Sequence, residues 1–303
     1  PNWEKYKKYF ELSFTAFGLN YEDIITNVNT NENDIEFIIY SPASSLCDFS
    51  KFINLKAVLN LWAGVDEIVN NQTLKKPLVR LIDEGLRQGM VEWCLAHVLR
   101  HHLSIDTHIK GQDGVWRSDF VAPLAPNRNI GILGLGELGS SVAKSLANIG
   151  FNVFGWSQTN KNFKAFKSFC GQIGLEKVLQ VSEILILLLP LTPSTRFLIN
   201  AKTLALMPRG STLINPGRGL LIRDHDLLTF LDNNHLKHAT LDVFAIEPLP
   251  HEHRYWSHPK VTVTPHIAAA TRPASTATSI TKSIVAIRNG KTPIGLVNRS
   301  KLY

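Results

Sequence analysis

A glycine-rich turn, Gly134-Leu135-Gly136-Glu137-Leu138-Gly139, is the feature that most restricts how this 303-residue chain can fold. It lies between an apolar run, 129–133, and a segment with one apolar face, 140–149, where a strand would pass into a helix. In that setting the first glycine permits a tight turn, the second lets a phosphate approach the backbone, and the third allows close packing of helix on strand. The N–H groups at the helix start favour phosphate. The turn therefore predicts a βαβ unit that binds a dinucleotide.

Apolar runs alternate with helical stretches along the chain, which is typical of parallel α/β architecture. The runs that predict strands are 35–40, 57–62, 78–81, 129–133, 151–156, 184–189, 212–215, 239–243 and 261–264. We expect two α/β domains, a Rossmann-type doubly wound parallel sheet over residues 91–267 and a smaller flavodoxin-like substrate domain over 1–90 and 268–303. A long helix, 90–106, would lead into the first, and a final helix, 273–287, would return to the second.

The composition narrows the class of protein. Apolar residues make up 44% and charged residues 19% of the chain, and no apolar run approaches the ~20 residues that cross a bilayer. Cys47, Cys94 and Cys170 show neither metal-ligand spacing nor a disulfide framework, so we expect a cytoplasmic protein with no metal site and no membrane contact. The net charge of +7 is dispersed along the chain, which favours small anionic substrates and phosphate-bearing cofactors over nucleic acid.

The second strand of the βαβ unit ends without the carboxylate that usually holds the ribose hydroxyls of NAD. Ser157 occupies that position, and Gln158 and Lys161 follow it. A carboxylate would repel a 2′-phosphate, whereas serine, glutamine and lysine can accept one. We therefore expect NADP(H) to be preferred. NAD(H) stays an alternative, because the chain has no arginine here to grip the phosphate in two places.

Arg218, Glu247 and His266 each come shortly after an apolar run in the second half of the chain. A parallel sheet would bring such strand ends to one edge, where these sheets bind ligands. The guanidinium could orient a carboxylate, the imidazole could donate a proton, and the glutamate could stabilise the imidazolium. Asp242, at a strand end, could bind the carboxamide of a nicotinamide. Each residue alone has a structural explanation, but together they predict the reduction of a 2-keto acid.

Five ordered segments, 131–139, 188–195, 214–219, 241–250 and 264–273, carry a resemblance that covers nearly the whole chain. Further likeness lies at 61–66, 154–159 and 256–259. On these segments the chain resembles the D-isomer-specific 2-hydroxyacid dehydrogenase family. The resemblance implies that Arg218, Glu247 and His266 are the catalytic residues of an NADPH-dependent reductase.

The resemblance also implies binding roles for further residues. The backbone N–H groups of Ala63, Gly64 and Val65 would hold the substrate carboxylate, and Tyr40 and Trp62 would wall a pocket for glyoxylate or hydroxypyruvate. The residues implied near the cofactor are Leu189, Pro190, Thr195, Pro216, Asp242 and Ala268. A homodimer is expected, with the segment 101–119 and its Trp116 as an arm.

Two other functions remain open at this point. One is an NAD-dependent dehydrogenase acting on D-lactate, D-glycerate or a phosphorylated hydroxy acid. The other is a nucleotide-sensing, corepressor-like binding protein, because one fold can serve unrelated functions.

Overall fold

The computed structural model describes residues 3–24, 31–118 and 121–303. The strands are β1 (Phe37–Tyr40), β2 (Ala57–Asn60), β3 (Leu78–Val79), β4 (Asn129–Leu133), β5 (Asn152–Ser157), β6 (Lys167–Cys170), β7 (Ile184–Leu187), β8 (Ser211–Asn215), β9 (Leu236–Leu241) and β10 (Val261–Val263). The helices are α1 (Glu4–Ala16), α2 (Glu84–His102), α3 (Ile105–Lys110), α4 (Glu137–Ile149), α5 (Gly171–Val181), α6 (Ala201–Leu204), α7 (Asp224–Asp232) and α8 (Pro273–Arg288). The chain divides into a smaller unit, Pro1–Leu86 with Ala270–Tyr303, and a larger unit, Arg87–Ala269.

The smaller unit contains a parallel sheet in the order β1-β2-β3. Helices α1 and α8 cover one face, where Phe10 and Ile284 share a core with Leu59. Tyr40 and Val58 belong to a second core on the other side. All four residues of the central strand β2 are buried, as expected for a parallel strand covered on both faces.

The larger unit contains a seven-stranded parallel sheet in the order β10-β9-β8-β7-β4-β5-β6. The chain order runs outward from β4 in one direction and from β7 in the other, so the topological switch point lies between these two strands. Each face of the sheet carries its own apolar core. Ligands of such sheets bind beyond the carboxyl ends of the strands at the switch point. The expected α/β class with a doubly wound sheet is confirmed.

Two predictions about the secondary structure were wrong. The predicted helix 90–106 is two helices, because Ser104 takes a left-handed conformation (φ 52°) between α2 and α3 and breaks the α-helical hydrogen-bond ladder. Strand β6 was missed, because its sequence Lys167-Ser168-Phe169-Cys170 has an exposed residue at each end and no apolar run. Among the described helices, none is both long and apolar enough to pass through a membrane.

Candidate active site

The glycine-rich turn joins β4 to α4 at the switch point, and its three glycines have different reasons to be glycine. Gly134 has a φ of +106°, and a Cβ there would lie 2.3 Å from the carbonyl oxygen of Leu188. A Cβ on Gly139 would lie 1.7 Å from the carbonyl oxygen of Gly134. A Cβ on Gly136 would meet nothing within 4 Å. Packing therefore explains the first and third glycines, whereas the second borders open space that a ligand could enter.

That open space faces the start of α4. Gly136 is the N-cap of this 13-residue helix, and its position has no side-chain cap. Glu137 is exposed, whereas Leu138 packs on the core. The first-turn N–H groups of a helix have no partners within the helix and carry partial positive charge. The turn and the helix start thus fit the pyrophosphate of a dinucleotide.

The end of β5 places a cation beside the glycine-rich turn. The exposed Lys161 reaches the glycine-rich turn, and its Nζ donates to the carbonyl oxygen of Leu135 in that turn over 2.8 Å. Ser157 is buried and its hydroxyl donates to the carbonyl oxygen of Thr159 over 2.8 Å. The serine proton is thus used within the loop, and Gln158 is exposed. Of the three residues predicted to receive a 2′-phosphate, Lys161 brings positive charge to the turn.

The loop after β7 lies on the other side of the switch point. Thr195 is buried there, its hydroxyl donates to the carbonyl oxygen of Pro190 over 2.7 Å, and its Oγ1 accepts the N–H of Thr192 over 2.8 Å. Leu189 is buried in the core and Pro190 is half-buried. Thr195 therefore stabilises this loop from within, a structural role that was not predicted from the sequence.

The last residue of β8 fixes the turn that carries Arg218. Asn215 is fully buried; its Oδ1 accepts the N–H of Gly217 over 3.1 Å, and its Nδ2 donates to the carbonyl oxygen of Arg218 over 2.9 Å. Pro216 between them is buried, and Arg218 is half-buried. Arg218 Nη1 donates to the carbonyl oxygen of Gly217 over 2.8 Å. The backbone that bears the guanidinium is thus held in place.

His266 and Glu247 form a direct pair. His266 Nδ1 lies 2.7 Å from Glu247 Oε2, and Glu247 Oε1 accepts the N–H of Phe244 over 2.9 Å. The side chain of His266 is 55% exposed and that of Glu247 is 34% exposed. When Nδ1 carries the proton shared with the carboxylate, Nε2 is the nitrogen left to exchange a proton with a substrate. This is the geometry of a histidine oriented by an acid.

Asp242 holds the segment that carries His266. It is fully buried; its Oδ1 accepts the hydroxyl of Thr264 over 2.6 Å and the N–H of Ile267 over 2.9 Å, and its Oδ2 accepts the N–H of Ala268 over 2.9 Å. Its carbonyl oxygen accepts the N–H of His266 over 2.8 Å. This structural role was not predicted from the sequence. Binding of the nicotinamide carboxamide by Asp242, and of the ring by Ala268, stays a prediction.

A backbone contact links the Arg218 turn to the Glu247 turn. A Cβ on Gly219 would lie 1.9 Å from the carbonyl carbon of Phe244 and 2.4 Å from the nitrogen of Ala245. Only a residue without a side chain lets the two turns approach this closely. The larger unit therefore brings together the turns of all three predicted catalytic residues, with Glu247 and His266 in direct contact.

The remaining predicted residues lie in the smaller unit. Trp62 is 44% exposed, Ala63 and Gly64 are half-buried, and Val65 is buried. Tyr40 was expected to wall the substrate pocket, and that role stays a prediction. Tyr40 is 7% exposed and its ring packs edge-on against Phe49, 5.8 Å away, because β1 directs it into the core.

Comparison with known proteins agrees with this geometry. Residues 93–268 match the NAD binding domain of the D-isomer specific 2-hydroxyacid dehydrogenases. The chain is 41% identical over 263 residues to glyoxylate/hydroxypyruvate reductase A of Yersinia enterocolitica, covering 83% of the chain and 82% of that protein. It is 42% identical over 256 residues to the protein of the same name from Serratia proteamaculans, covering 80% of each.

Solved structures give the same result. A D-isomer specific 2-hydroxyacid dehydrogenase from Xanthobacter autotrophicus Py2, in complex with NADPH and MES, has a TM-score of 0.90 at 35% identity, covering 99% of this chain and 96% of that one. An NADPH-dependent glyoxylate/hydroxypyruvate reductase from Sinorhizobium meliloti, in complex with NADP and sulfate, has a TM-score of 0.84 at 33% identity, covering 91% and 89%. The chain belongs to the D-isomer specific 2-hydroxyacid dehydrogenase family, and the resemblance found in its sequence is confirmed.

Proposed function

We propose that this chain reduces short 2-keto acids with NADPH, converting glyoxylate to glycolate and hydroxypyruvate to D-glycerate. The relatives named glyoxylate/hydroxypyruvate reductase A and the neighbours solved with NADPH or NADP support this function. The observation that carries it is the 2.7 Å pair of His266 and Glu247, beyond the carboxyl ends of a doubly wound sheet. Such a pair supplies a proton to an oxygen that becomes an alkoxide.

The cofactor is proposed to lie along the switch point. The backbone at Gly134, Gly136 and Gly139 and the start of α4 would hold the pyrophosphate, and Lys161 would face the 2′-phosphate, with Ser157 and Gln158 beside it. The residues proposed along the rest of the cofactor are Glu137, Leu138, Leu189, Pro190, Thr195, Pro216, Asp242 and Ala268. Bound NADPH would supply the hydride that reduces the keto carbon. NADH stays possible, because a lysine grips a phosphate less firmly than an arginine.

The substrate is proposed to be oriented by charge and by backbone. Arg218 would pair with the carboxylate and polarise the keto oxygen, because its planar fork matches two oxygens at once. The N–H groups of Ala63, Gly64 and Val65 would hold the carboxylate from the smaller unit, as the family resemblance implies. Trp62 would restrict the side chain of the substrate.

His266 is proposed as the general acid. Its Nε2 would give a proton to the keto oxygen as negative charge develops there, and Glu247 would stabilise the imidazolium through Nδ1. In the reverse direction the same nitrogen would take the proton of the hydroxyl group.

A homodimer in the cytoplasm is also proposed. Trp116 is 92% exposed, Val115 is 61% exposed and Ile109 is 64% exposed, which is a large apolar surface for one short segment. Asp119, at the end of the predicted arm, lies outside the described residues.

The three cysteines are free, which suits a reducing compartment. We expect no nucleic-acid partner, and the oligomeric state can be measured by light scattering with Trp116→Ser as the variant.

The function is tested by following the absorbance of the reduced cofactor. Glyoxylate and hydroxypyruvate are each tested with NADPH and NADH, and D-lactate and D-glycerate are each tested with NADP+ and NAD+. We expect fast NADPH oxidation with the two keto acids, and a loss of about 10²- to 10⁴-fold in kcat for His266→Gln. His225→Gln replaces an 89% exposed histidine outside the site and serves as the matched control. Turnover that survives in His266→Gln refutes the assignment of the acid. NADPH binding without turnover of any substrate would favour the sensing protein, and preference for NAD with another hydroxy acid would favour the other dehydrogenase.

A further inference from the structure

Asn60 is a buried polar residue at the end of the apolar strand β2. Its side chain is fully buried, and its Nδ2 donates to the carbonyl oxygen of Trp62 over 2.9 Å and to that of Gly64 over 2.7 Å. Within the described part of the chain, Asn60 Oδ1 has no hydrogen-bond partner. The amide group therefore acts through its two N–H donors, and both of them hold the loop that follows the strand.

The two hydrogen bonds from Asn60 also determine which way the N–H groups of Ala63 and Val65 point. The peptide bonds of the described segment 60–65 are trans, and in a planar trans peptide the C=O and N–H bonds point in opposite directions. The Trp62 carbonyl shares its peptide with the N–H of Ala63, and the Gly64 carbonyl shares its peptide with the N–H of Val65. Because both carbonyls point at Asn60, both N–H groups point away from it.

These N–H groups are available for a ligand. In the described residues, the N–H groups of Ala63, Gly64 and Val65 donate to no backbone carbonyl. N–H groups of nearby residues that lie on the same side of a turn form a concave site for an anion. A carboxylate is an anion of the size that two or three such donors can hold.

The carbonyl groups of Trp62 and Gly64 differ in how much their orientation depends on Asn60. The Trp62 carbonyl also accepts the N–H of Leu81 over 3.0 Å, so it keeps one donor when Asn60 is replaced. The Gly64 carbonyl accepts its hydrogen bond from Asn60. Loss of the Asn60 amide should therefore release the Gly64–Val65 peptide first. The N–H of Val65 would then lose the direction that Asn60 gives it.

We propose that Asn60 is a positioning residue that aims the N–H groups of Ala63 and Val65 at the substrate carboxylate, and so sets the preference of the enzyme for 2-keto acids over uncharged carbonyl compounds. This inference rests on the proposed function, in which those N–H groups hold the carboxylate. A merely structural asparagine would support the fold of the smaller unit without affecting that preference.

The test compares Asn60→Leu, which keeps the approximate shape but lacks the donor, with Asn71→Leu as a matched control. Asn71 also holds a turn of the smaller unit, through its Nδ2 to the carbonyl oxygen of Cys47 over 2.7 Å and its Oδ1 to the N–H of Thr73 over 2.8 Å. The substrates are glyoxylate and methyl glyoxylate, which share the aldehyde but differ in the carboxylate charge. We expect Asn60→Leu to lower kcat/KM for glyoxylate about tenfold or more and that for methyl glyoxylate less than about twofold. For Asn71→Leu we expect the ratio of the two values to stay as in the wild type.

A second measurement does not depend on turnover. Oxalate is a carboxylate that cannot be reduced in this way, and its binding can be followed by calorimetry and by the amide resonances of Ala63 and Val65 in labelled wild-type protein. We expect those resonances to shift with oxalate and the affinity to fall about tenfold in Asn60→Leu. The resonance measurement does not require a folded variant, since the wild-type resonances alone can contradict the proposal.

The outcomes distinguish a failure of the positioning role of Asn60 from a failure of the proposed reductase function. If the wild type reduces glyoxylate and Asn60→Leu keeps the full preference over methyl glyoxylate, the positioning role is wrong and the proposed function stands. If the wild type reduces no keto acid but binds oxalate in an Asn60-dependent way, the positioning role stands and the proposed function is wrong. Oxalate binding that leaves Ala63 and Val65 unshifted overturns the positioning role by itself.

Discussion

Replacing Gly219 by alanine should move the catalytic pair without removing any catalytic side chain. The new Cβ would lie 1.9 Å from the carbonyl carbon of Phe244, where ordinary van der Waals contact begins at 3.4 Å. The two turns would have to separate by about 3.4 − 1.9 = 1.5 Å to relieve the overlap. The atoms in the way belong to backbone, so no side-chain rotation can make room.

The displacement reaches the proposed acid, His266, through two successive hydrogen bonds. The N–H of Phe244 holds Glu247 Oε1, and Glu247 Oε2 holds His266 Nδ1. Overpacking of a close contact costs about 1–3 kcal/mol in stability, and a misplacement of about 1 Å can cost about 10²-fold in rate. We therefore expect Gly219→Ala to lower kcat about 100-fold and the free energy of unfolding by about 1–3 kcal/mol. The glycine-rich turn is separate from this contact, so NADPH affinity should fall much less than kcat.

Steady-state kinetics, NADPH fluorescence and urea denaturation together test this expectation. Gly89→Ala is the matched control, because its Cβ would lie 3.7 Å from the nearest atom, Ala269 Cα, in ordinary contact. That control should keep kcat, and alanine in helix α2 should leave the stability equal or higher. A Gly219→Ala protein that is folded and keeps the wild-type kcat would refute the argument that this contact positions Glu247.

Three further predictions concern the cofactor and the response to acid. Gly136→Ala, whose Cβ would enter open space, should raise the Kd for NADPH about tenfold in fluorescence titrations and leave the urea midpoint unchanged, which is the reverse of the Gly219→Ala pattern. Lys161→Gln should raise the KM for NADPH about tenfold and leave the KM for NADH unchanged, since the lysine would meet only the 2′-phosphate. Burial lowers the pKa of His101 to about 3 and that of His238 to about 4 from the ordinary 6.5. Because the unfolded chain then binds more protons, stability should be full above pH 6.5 and fall as the pH drops towards 4, and His238→Asn should flatten this loss in urea titrations.

The features that could be predicted from the sequence depend on residues that lie close together along the chain, or on the shared direction of parallel strands. The glycine-rich turn needs only six consecutive residues and an adjoining apolar run, so both the strand and the helix could be inferred from it. Arg218, Glu247 and His266 could be assigned to one edge because parallel strands share the direction of their carboxyl ends. Their exact neighbours could not be assigned, since this requires the three-dimensional packing of the turns.

The features that could not be predicted depend on contacts between distant segments. The left-handed Ser104 gives no signal in a continuous helical pattern, and β6 has no apolar run of its own. The packing of Tyr40 against Phe49 depends on how the segment after β1 folds back onto that strand. The contact between Gly219 and Phe244 joins residues that are separated by a strand and a helix.

One principle nevertheless applies to three loops that carry proposed functional residues, one in the smaller unit and two in the larger unit. Asn60 ends β2, Asn215 ends β8 and Asp242 directly follows β9, and all three side chains are fully buried. Hydrogen bonds stabilise a buried polar side chain. Beyond a strand end, the nearest groups that the sheet does not use are the backbone N–H and C=O groups of the adjoining loops. Each of these residues accordingly binds a loop that carries a proposed functional group.

This arrangement explains why polar residues persist where an apolar one would continue the strand. Leucine at such a position would satisfy the core but would leave the loop without its anchor, and a site must be held to within about half an ångström to work. The sheet would then survive while the functional group lost its direction. A buried polar residue at or directly after the end of a strand is therefore a sequence signal for a positioned loop, and in this chain it marks the proposed nest at 63–65, the arginine turn and the histidine segment.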